Sequence, residues 1–193
     1  MSARDVIDDL RALAALTSTP EGAQRLAWGP VWREARRWFA DRARELGVEG
    51  RTDAAGNMWY TLPGPTSETI IIGGHLDSVP NGGWLDGTLG VMTGLGALRM
   101  FKDRQRPVGI TVVDLADEEG ARFGRSLLGS SAASGSLKVD EVRGLVDKQG
   151  TPLPDALREN GVELDRMLDA HRELKKVHAR GYLELHIEQG PVL

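Results

Sequence analysis

Three short apolar runs in this sequence each end in side chains of the types that can bind divalent metal ions. The segments are IIIGGHLD at 70–77, VVDLADEEG at 112–120 and LELHIEQG at 183–190. Short runs rich in β-branched and aliphatic residues predict buried strands. In an open α/β sheet, ligand sites form at the carboxyl ends of the strands, where their loops converge. The sequence therefore predicts an α/β sheet with metal-type side chains gathered at one edge.

The rest of the chain predicts helices that pack on this sheet. Apolar residues at helical spacing, with glycine or proline near the boundaries, predict helices over 6–16, 30–46, 88–101 and 126–134. Thr88 is the predicted cap of the third of these. The predicted strands are 48–52, 57–62, 69–74, 108–115 and 182–187. This order of elements predicts an α/β sheet layered with helices.

The histidines and the absence of cysteine narrow the possible ligands. The chain has no cysteine and four histidines, so an ion must be held by His, Asp or Glu. His171 and His178 lie in the charged stretch HRELKKVHAR, which is typical of a solvated helical face. We therefore leave both out, and His75 and His186 remain as candidates.

The segment GGHLDSVPNGGWLDG carries three candidate residues. His75 follows a strand end, and Asp77 lies two residues on, on the same side of an extended chain. That spacing lets the Asp77 carboxylate reach the imidazole, fix its tautomer and strengthen it as a ligand. Asp86 precedes a predicted helix, where it could bridge two cations. The alternative for Asp86 is a solvated carboxylate favoured by the helix dipole.

The other two segments contribute a pair of glutamates and one histidine. Glu118 and Glu119 directly follow a strand, and as functional residues they would divide the work. One would bind a metal ion, while the other would accept a proton from water. The alternative is a pair of solvated turn residues. His186 is a candidate ligand, although a lone histidine within a strand is also commonly a structural residue.

Charge and composition exclude several classes of protein. A net charge of −4 with mixed signs gives no basic surface for nucleic acid or an anionic membrane. No apolar run approaches the ~18 residues of a membrane-spanning helix, and the acidic start is unlike a signal peptide. We predict a cytoplasmic protein. GRSLLGSS lacks the full serine-hydrolase pattern, and no lysine follows the glycine-rich loop as in a phosphate-binding loop.

Taken together, three motifs resemble a known family. GGHLDSVPNGGWLDG, DEEGARFGRSLLGSS and LELHIEQGPVL, in this order, resemble the hydantoinase/carbamoylase branch of the zinc aminoacylase and carboxypeptidase superfamily. That branch includes N-carbamoyl-L-amino-acid hydrolases, allantoate amidohydrolases, ureidoglycolate amidohydrolases and β-ureidopropionases. The regions GAQRLAWGPVWREARRWFADRARELG and TDAAGNMWY are also similar to it. The resemblance implies a zinc-exopeptidase-like catalytic domain with a mixed sheet.

The resemblance also implies a role for each candidate. It gives Glu118 as the general base and Asp77 as the residue that orients His75. The implied metal ligands are His75, Asp86, Glu119 and His186, with Asp86 bridging two divalent ions. The ions would be zinc, manganese, cobalt or nickel, and the donor set does not select one. The implied reaction is hydrolysis of a C–N bond in a small linear amide or ureido compound.

The end of the sequence departs from the family pattern. Family members are about twice as long and continue into a lid and dimerisation domain before they complete the catalytic domain. The sequence stops at Leu193. We therefore expect residues 1–193 to form the N-terminal part of the catalytic domain, without the lid domain and the C-terminal part. The second metal site would then be incomplete, the homodimer surface absent and the isolated chain nearly inactive.

Two other functions stay open at this point. One is an aminoacylase or dipeptidase of the same superfamily, with the same metal ions and a different acyl group. The other is a non-catalytic remnant that binds metal weakly or acts only as an interaction domain.

Overall fold

Five strands form the central sheet of the protein in the computed structural model, which describes residues 3–187. The strands in chain order are β1 (Ser18–Thr19), β2 (Gly22–Ala23), β3 (Gly50–Thr52), β4 (Met58–Leu62), β5 (Glu68–Gly74), β6 (Gly109–Asp114) and β7 (His178–Leu183). The first two make a small separate hairpin. In the sheet the order is β3-β4-β6-β5-β7. The first two pairings are antiparallel and the last two are parallel, so the sheet is mixed.

Helices and one 3₁₀ turn connect these strands. The α-helices are α1 (Ala3–Thr17), α2 (Pro30–Glu45), α3 (Thr88–Phe101), α4 (Leu128–Ser134), α5 (Val139–Val142), α6 (Leu153–Glu159) and α7 (Asp169–Leu174), and the 3₁₀ turn is Leu164–Arg166. None of the helices within residues 3–187 is long and apolar enough to cross a membrane.

The two faces of the sheet bury different sets of side chains, because successive residues of a strand point to opposite faces. On one face, Tyr60, Ile110 and Val112 pack in a core with residues of α1, α2 and α3. On the other face, Trp59 and Val113 pack with Ile71. The parallel strands β5 and β6 end together, and this places the loops that follow Gly74 and Asp114 side by side.

The sequence predicts most of these elements but misplaces three details. The N-cap of α3 is Gly87, and Thr88 lies inside the helix, where its hydroxyl donates to the carbonyl of Trp84 at 2.7 Å. The prediction that Thr88 caps the helix is therefore wrong. Helix α4 begins at Leu128, because Leu127 has a left-handed backbone with φ 59°.

The last strand is the largest difference. It was predicted over 182–187 from alternating apolar residues, but β7 spans His178–Leu183, and residues 184–187 are irregular. The position is set by parallel pairing with β5, which runs from Glu68 opposite His178 to Ile72 opposite Leu183. The placement of His178 on a helical face is therefore wrong. Its Nδ1 lies 2.8 Å from the Ser67 hydroxyl at the start of this pairing.

Candidate metal centre

Three of the predicted ligands meet at the carboxyl edge of the sheet. One ligand atom from each of His75, Asp86 and Glu119 lies within 4.8 Å of the other two. His75 comes from the loop after β5, Asp86 from the residue before the N-cap of α3, and Glu119 from the loop after β6. Three separate elements therefore converge on a space that a cation can occupy.

The His75 ring is buried and held from both sides. Its Nδ1 lies 3.0 Å from the backbone oxygen of Asp77 and 3.5 Å from the Asp77 carboxylate. Its Nε2 lies 3.9 Å from Asp86 Oδ1. With Nδ1–H donating to the Asp77 carbonyl, the lone pair of Nε2 faces the cluster. The residue expected to orient His75 thus contacts it, and its nearer contact is through the main chain.

The Asp77 carboxylate makes a second connection that the sequence did not predict. The backbone N–H of Glu118 donates to Asp77 Oδ1 at 3.2 Å, and that of Glu119 donates to Oδ2 at 3.0 Å. Asp77 is almost fully buried, at 1% exposure. Both oxygens of one carboxylate therefore join the loop that carries His75 to the loop that carries the two glutamates.

Gly87 is needed where Asp86 meets His75. Its backbone has φ +65°, a conformation that favours glycine. A Cβ atom at this position would lie 2.4 Å from the Nδ1 and Cε1 atoms of His75. The absence of a side chain at residue 87 therefore lets the imidazole lie beside Asp86.

Glu118 stands beside the cluster rather than in it. The hydroxyl of Ser130, on α4, lies 2.9 and 2.8 Å from the two carboxylate oxygens of Glu118 and donates to the carboxylate. Burial raises the pKa of Glu118, and the Ser130 hydrogen bond partly opposes the shift. A half-buried carboxylate fixed by one hydroxyl next to a cation site is suited to accept and release a proton.

The cluster holds protons that a cation would displace. Burial lowers the pKa of His75, but the hydrogen bond and charge of Asp77, with the charges of Glu119 and Asp86, outweigh it and raise the pKa to about 10. Burial raises the pKa of Glu119 to about 7, although the charge of His75 opposes the shift. Cation binding must therefore release protons near neutral pH.

The surroundings of Glu119 support the binding of a divalent metal ion in this cluster. Glu119 Oε1 is buried and has no hydrogen-bond partner among residues 3–187. A buried carboxylate oxygen without a partner is costly unless a cation or proton satisfies it. One imidazole and two carboxylates form a donor set for metals such as zinc or manganese, and they do not distinguish between these ions.

His186 is not brought into the cluster. It follows the end of β7, its side chain is half exposed, and its Nδ1 lies 3.6 Å from Glu184 Oε1. Its role as a ligand stays a prediction. His171 Nδ1 donates a hydrogen bond to the carbonyl oxygen of Ala133 at 2.9 Å.

Three residues around the site were not predicted from the sequence: Ser130, Arg25 and Trp28. Ser130 lies in the GRSLLGSS segment, where only a nucleophile was considered. Arg25 directly precedes the apolar residues Leu26, Ala27 and Trp28. An arginine next to such a run could have indicated that its side chain is buried. Burial lowers the pKa of Arg25 to about 10, while Asp77, Asp86, Asp114 and Glu119 oppose the shift.

The fold and the cluster define the protein as an α/β domain of the zinc-exopeptidase kind. Residues 57–152 match the model of peptidase family M28. The chain is 38% identical over 178 residues to the N-carbamoyl-L-amino acid amidohydrolase of Geobacillus stearothermophilus, covering 89% of this chain and 42% of that protein. It is 34% identical over 187 residues to the allantoate amidohydrolase of Escherichia coli K12, covering 94% of this chain and 44% of that protein.

A solved structure shows the same relationship. The crystal structure of an amidase of the hydantoinase/carbamoylase family from Burkholderia phymatum superposes with a TM-score of 0.81 at 35% identity, covering 100% of this chain and 46% of that one. The chain is therefore similar, over nearly its whole length, to enzymes of the hydantoinase/carbamoylase family. It spans less than half the length of the relatives it matches.

Proposed function

We propose that this chain carries a large part of the active site of a metal-dependent hydrolase that cleaves a C–N bond in a linear amide or ureido compound. The observation that carries the proposal is the convergence of His75, Asp86 and Glu119 on one space, with Glu118 held beside them. A ligand cluster alone would fit a structural metal site. A neighbouring carboxylate with a raised pKa adds the proton acceptor that hydrolysis needs.

Each residue of the site has its own role in the proposed reaction. His75, Asp86 and Glu119 would hold divalent metal ions, of which the full site would contain two. Such ions, when bound, supply the positive charge that acidifies water and polarises a carbonyl group. Glu118 accepts the proton of the attacking water and then gives it to the leaving nitrogen. Ser130 keeps the Glu118 carboxylate in place between these two steps.

The substrate class comes from the relatives. Those named above are an N-carbamoyl-L-amino acid amidohydrolase and an allantoate amidohydrolase. Hydrolysis of a terminal ureido group releases ammonia. We place this protein in the same substrate range. The particular substrate within this range stays a prediction. The cytoplasmic location and the formation of a homodimer also stay predictions.

The length of the relatives affects how the activity is tested. We propose that residues 1–193 correspond to the N-terminal part of the catalytic domain, and that the full activity belongs to a protein of the relatives' length. The second metal site and the substrate pocket would then draw on further residues. His186 would join the ligands in that larger assembly.

Metal binding is the direct test of the site. Titration of the chelator-treated chain with zinc should show one ion bound tightly and a second bound weakly, and His75→Ala should abolish the tight site. The matched control is His171→Ala, which removes a histidine bonded to Ala133 instead. Absence of binding at micromolar free zinc would contradict the proposal. Equal affinity for two ions would contradict the incomplete second site.

Activity is tested by ammonia release. The chain alone, and the chain mixed with the remaining segment of a relative, would be supplied with N-carbamoyl amino acids or allantoate, and with N-acetyl amino acids in a parallel assay of deacetylation. We expect turnover of the carbamoylated or ureido compounds only in the mixture. Robust turnover by residues 1–193 alone would contradict the division proposed here. Turnover of acetylated compounds only would indicate an aminoacylase.

A further inference from the structure

A short segment, residues 25–28, lies against both of the loops that carry the metal centre. It precedes α2 and belongs to no regular element. Its residues Arg25 and Trp28 are among the largest fully buried side chains, with exposures of 0% and 1%. Neither is assigned a part in the proposed reaction. Arg25 contacts the loop that carries His75, and Trp28 contacts the loop that carries the two glutamates.

Arg25 contacts the loop after β5 at two points. Its Nε donates to the backbone oxygen of Leu76 at 2.7 Å, the residue between His75 and Asp77. Its backbone forms a reciprocal pair with Ser78, in which Arg25 N donates to Ser78 Oγ at 3.1 Å and Ser78 N donates to Arg25 O at 3.0 Å. These bonds fix the main chain on both sides of Asp77.

The same peptide is held from its other side by an acidic group. The backbone N–H of Leu76 donates to Asp114 Oδ1 at 2.8 Å. Asp114 is itself paired with the buried Arg36, whose Nε lies 2.6 Å from Asp114 Oδ2. Leu76 therefore has its N–H and its carbonyl bonded to buried charged groups of opposite sign. Charged partners make stronger hydrogen bonds than neutral ones, so the His75 loop has little freedom to shift.

Trp28 contacts the loop after β6. Its indole Nε1 donates to Asp117 Oδ2 at 2.8 Å, and Asp117 directly precedes Glu118 and Glu119. Both Trp28 and Asp117 have left-handed backbones, with φ 63° and φ 56°. Such conformations cost energy for residues other than glycine and persist only where the surroundings hold them. The indole bond is one of the contacts that hold the glutamate loop in this turn.

We propose that Arg25 and Trp28 are positioning residues that set the separation between the His75 loop and the Glu118–Glu119 loop, and thereby the geometry of the metal centre. This inference rests on the proposed function. Asp77 joins the two loops through its own carboxylate, while the 25–28 segment joins them through Arg25 and Trp28. Hydrogen-bond partners of the ligands themselves typically contribute about 10–100-fold to metal affinity. Arg25 and Trp28 fix the two loops one bond further out, so we expect effects at the lower end of that range. A purely structural role would instead affect the stability of the fold alone.

The test compares two neighbouring tryptophans. Trp28→Phe removes the bond to Asp117 and keeps an aromatic ring. Trp32→Phe is the matched control, because Trp32 is equally buried, its ring centroid lies 4.9 Å from that of Trp28, and its Nε1 has no hydrogen-bond partner in the described part of the chain. Each variant would be measured for zinc affinity, for the visible absorption spectrum with cobalt(II), and for the urea midpoint of unfolding without metal.

We expect Trp28→Phe to weaken zinc binding at least about tenfold and to change the cobalt spectrum. Trp32→Phe should lower the urea midpoint without either effect. Arg25→Met should act as Trp28→Phe does, and Arg25→Lys, which keeps the charge, should recover part of the affinity. Unchanged zinc affinity in Trp28→Phe, or equal losses in both tryptophan variants, would overturn the inference. Failure of the unaltered chain to bind zinc would overturn the proposed function itself, so the two failures are distinguishable.

Discussion

Glu118 and Glu119 are adjacent in sequence but have different surroundings. Glu119 contributes to the cluster of three ligands, and its Oε1 is buried without a hydrogen-bond partner among the described residues. Glu118 faces the hydroxyl of Ser130 and lies outside the cluster. This difference in surroundings supports the assignment of one residue as a ligand and the other as a base.

Substitution of each glutamate by glutamine tests that division. Glu118→Gln should leave zinc affinity nearly unchanged and lower the rate of hydrolysis at least about 10²-fold, because it removes a general base. Glu119→Gln should weaken zinc binding more than the roughly 10–100-fold typical of outer hydrogen-bond partners, since it removes a ligand. Zinc titration of the chain, and ammonia release by its mixture with the remaining segment of a relative, measure the two effects. The opposite pattern would show that the roles of the two residues are exchanged.

The protonation of Asp117 predicts a pH effect on stability. Burial raises its pKa to about 7, with a further contribution from the charge of Asp77. A folded state with a raised carboxyl pKa holds its proton more tightly than the unfolded chain does. The stability that this proton provides is complete below about pH 4 and is lost as the pH rises through about 7.

Asp117→Asn removes this titration and keeps an oxygen that can accept the Trp28 hydrogen bond. In urea unfolding with a chelator present, the wild-type chain should lose stability relative to the variant between pH 5 and pH 7, by up to about 1.4 kcal/mol per pH unit. Glu119 titrates in both proteins and so cancels in the comparison. Parallel pH profiles for the two proteins would contradict the raised pKa.

Helix α3 packs very closely against strand β5, so that their backbones nearly touch. Gly90 lies in the first turns of α3, and a Cβ atom there would lie 2.1 Å from the carbonyl oxygen of Gly73. The obstructing atom belongs to the backbone of a central strand, so it cannot rotate away as a side chain could. This approach keeps the start of α3, and therefore Asp86, close to the end of β5 and His75.

Gly90→Ala should therefore destabilise the protein although alanine favours helices. The expected loss is about 1–3 kcal/mol, typical of overpacking, with a fall in Tm of several degrees. Zinc affinity should also fall, because α3 must move away from β5. Gly144→Ala is the control, since a Cβ atom there meets nothing within 4 Å. Equal Tm values for the two variants would show that the helix can shift at no cost.

The exposed edge strand β7 predicts that the whole molecule associates with other copies of itself. Strand β7 pairs with β5 on one side, and all six of its residues are exposed. Tyr182, Leu183 and Leu185 have exposures of 46%, 59% and 52%. A long edge strand with exposed apolar side chains tends to pair with another chain.

We expect residues 1–193 to self-associate as the concentration rises, and Leu183→Lys to reduce the association, because charge on an edge strand opposes pairing. Sedimentation velocity over a range of concentrations measures the effect. Leu16→Lys is the control, since Leu16 is 41% exposed on α1 rather than on the edge strand. The same reduction in both variants would indicate general solubility rather than strand pairing.

The sequence alone determined where, within residues 3–187, four of the five strands of the central sheet and four of the seven α-helices lie. Strands β3 to β6 and helices α1 to α4 follow from local patterns: apolar periodicity, β-branched runs and glycine or proline at the boundaries. It also placed His75 and Glu119 directly after predicted strands, and this indicated that both lie at the carboxyl ends of strands. Both inferences depend on residues that are near one another in the chain.

The tertiary structure decided what depends on contacts between distant segments. It placed β7 by pairing with β5 rather than by its own apolar residues, and left His186 outside the cluster. It brought Arg25 to Leu76, which is 51 positions away in the chain, and Trp28 to Asp117, which is 89 positions away. Burial then set the protonation of Asp117 and Glu119. Sequence patterns report local spacing, whereas burial and long-range hydrogen bonds exist only once the chain has folded.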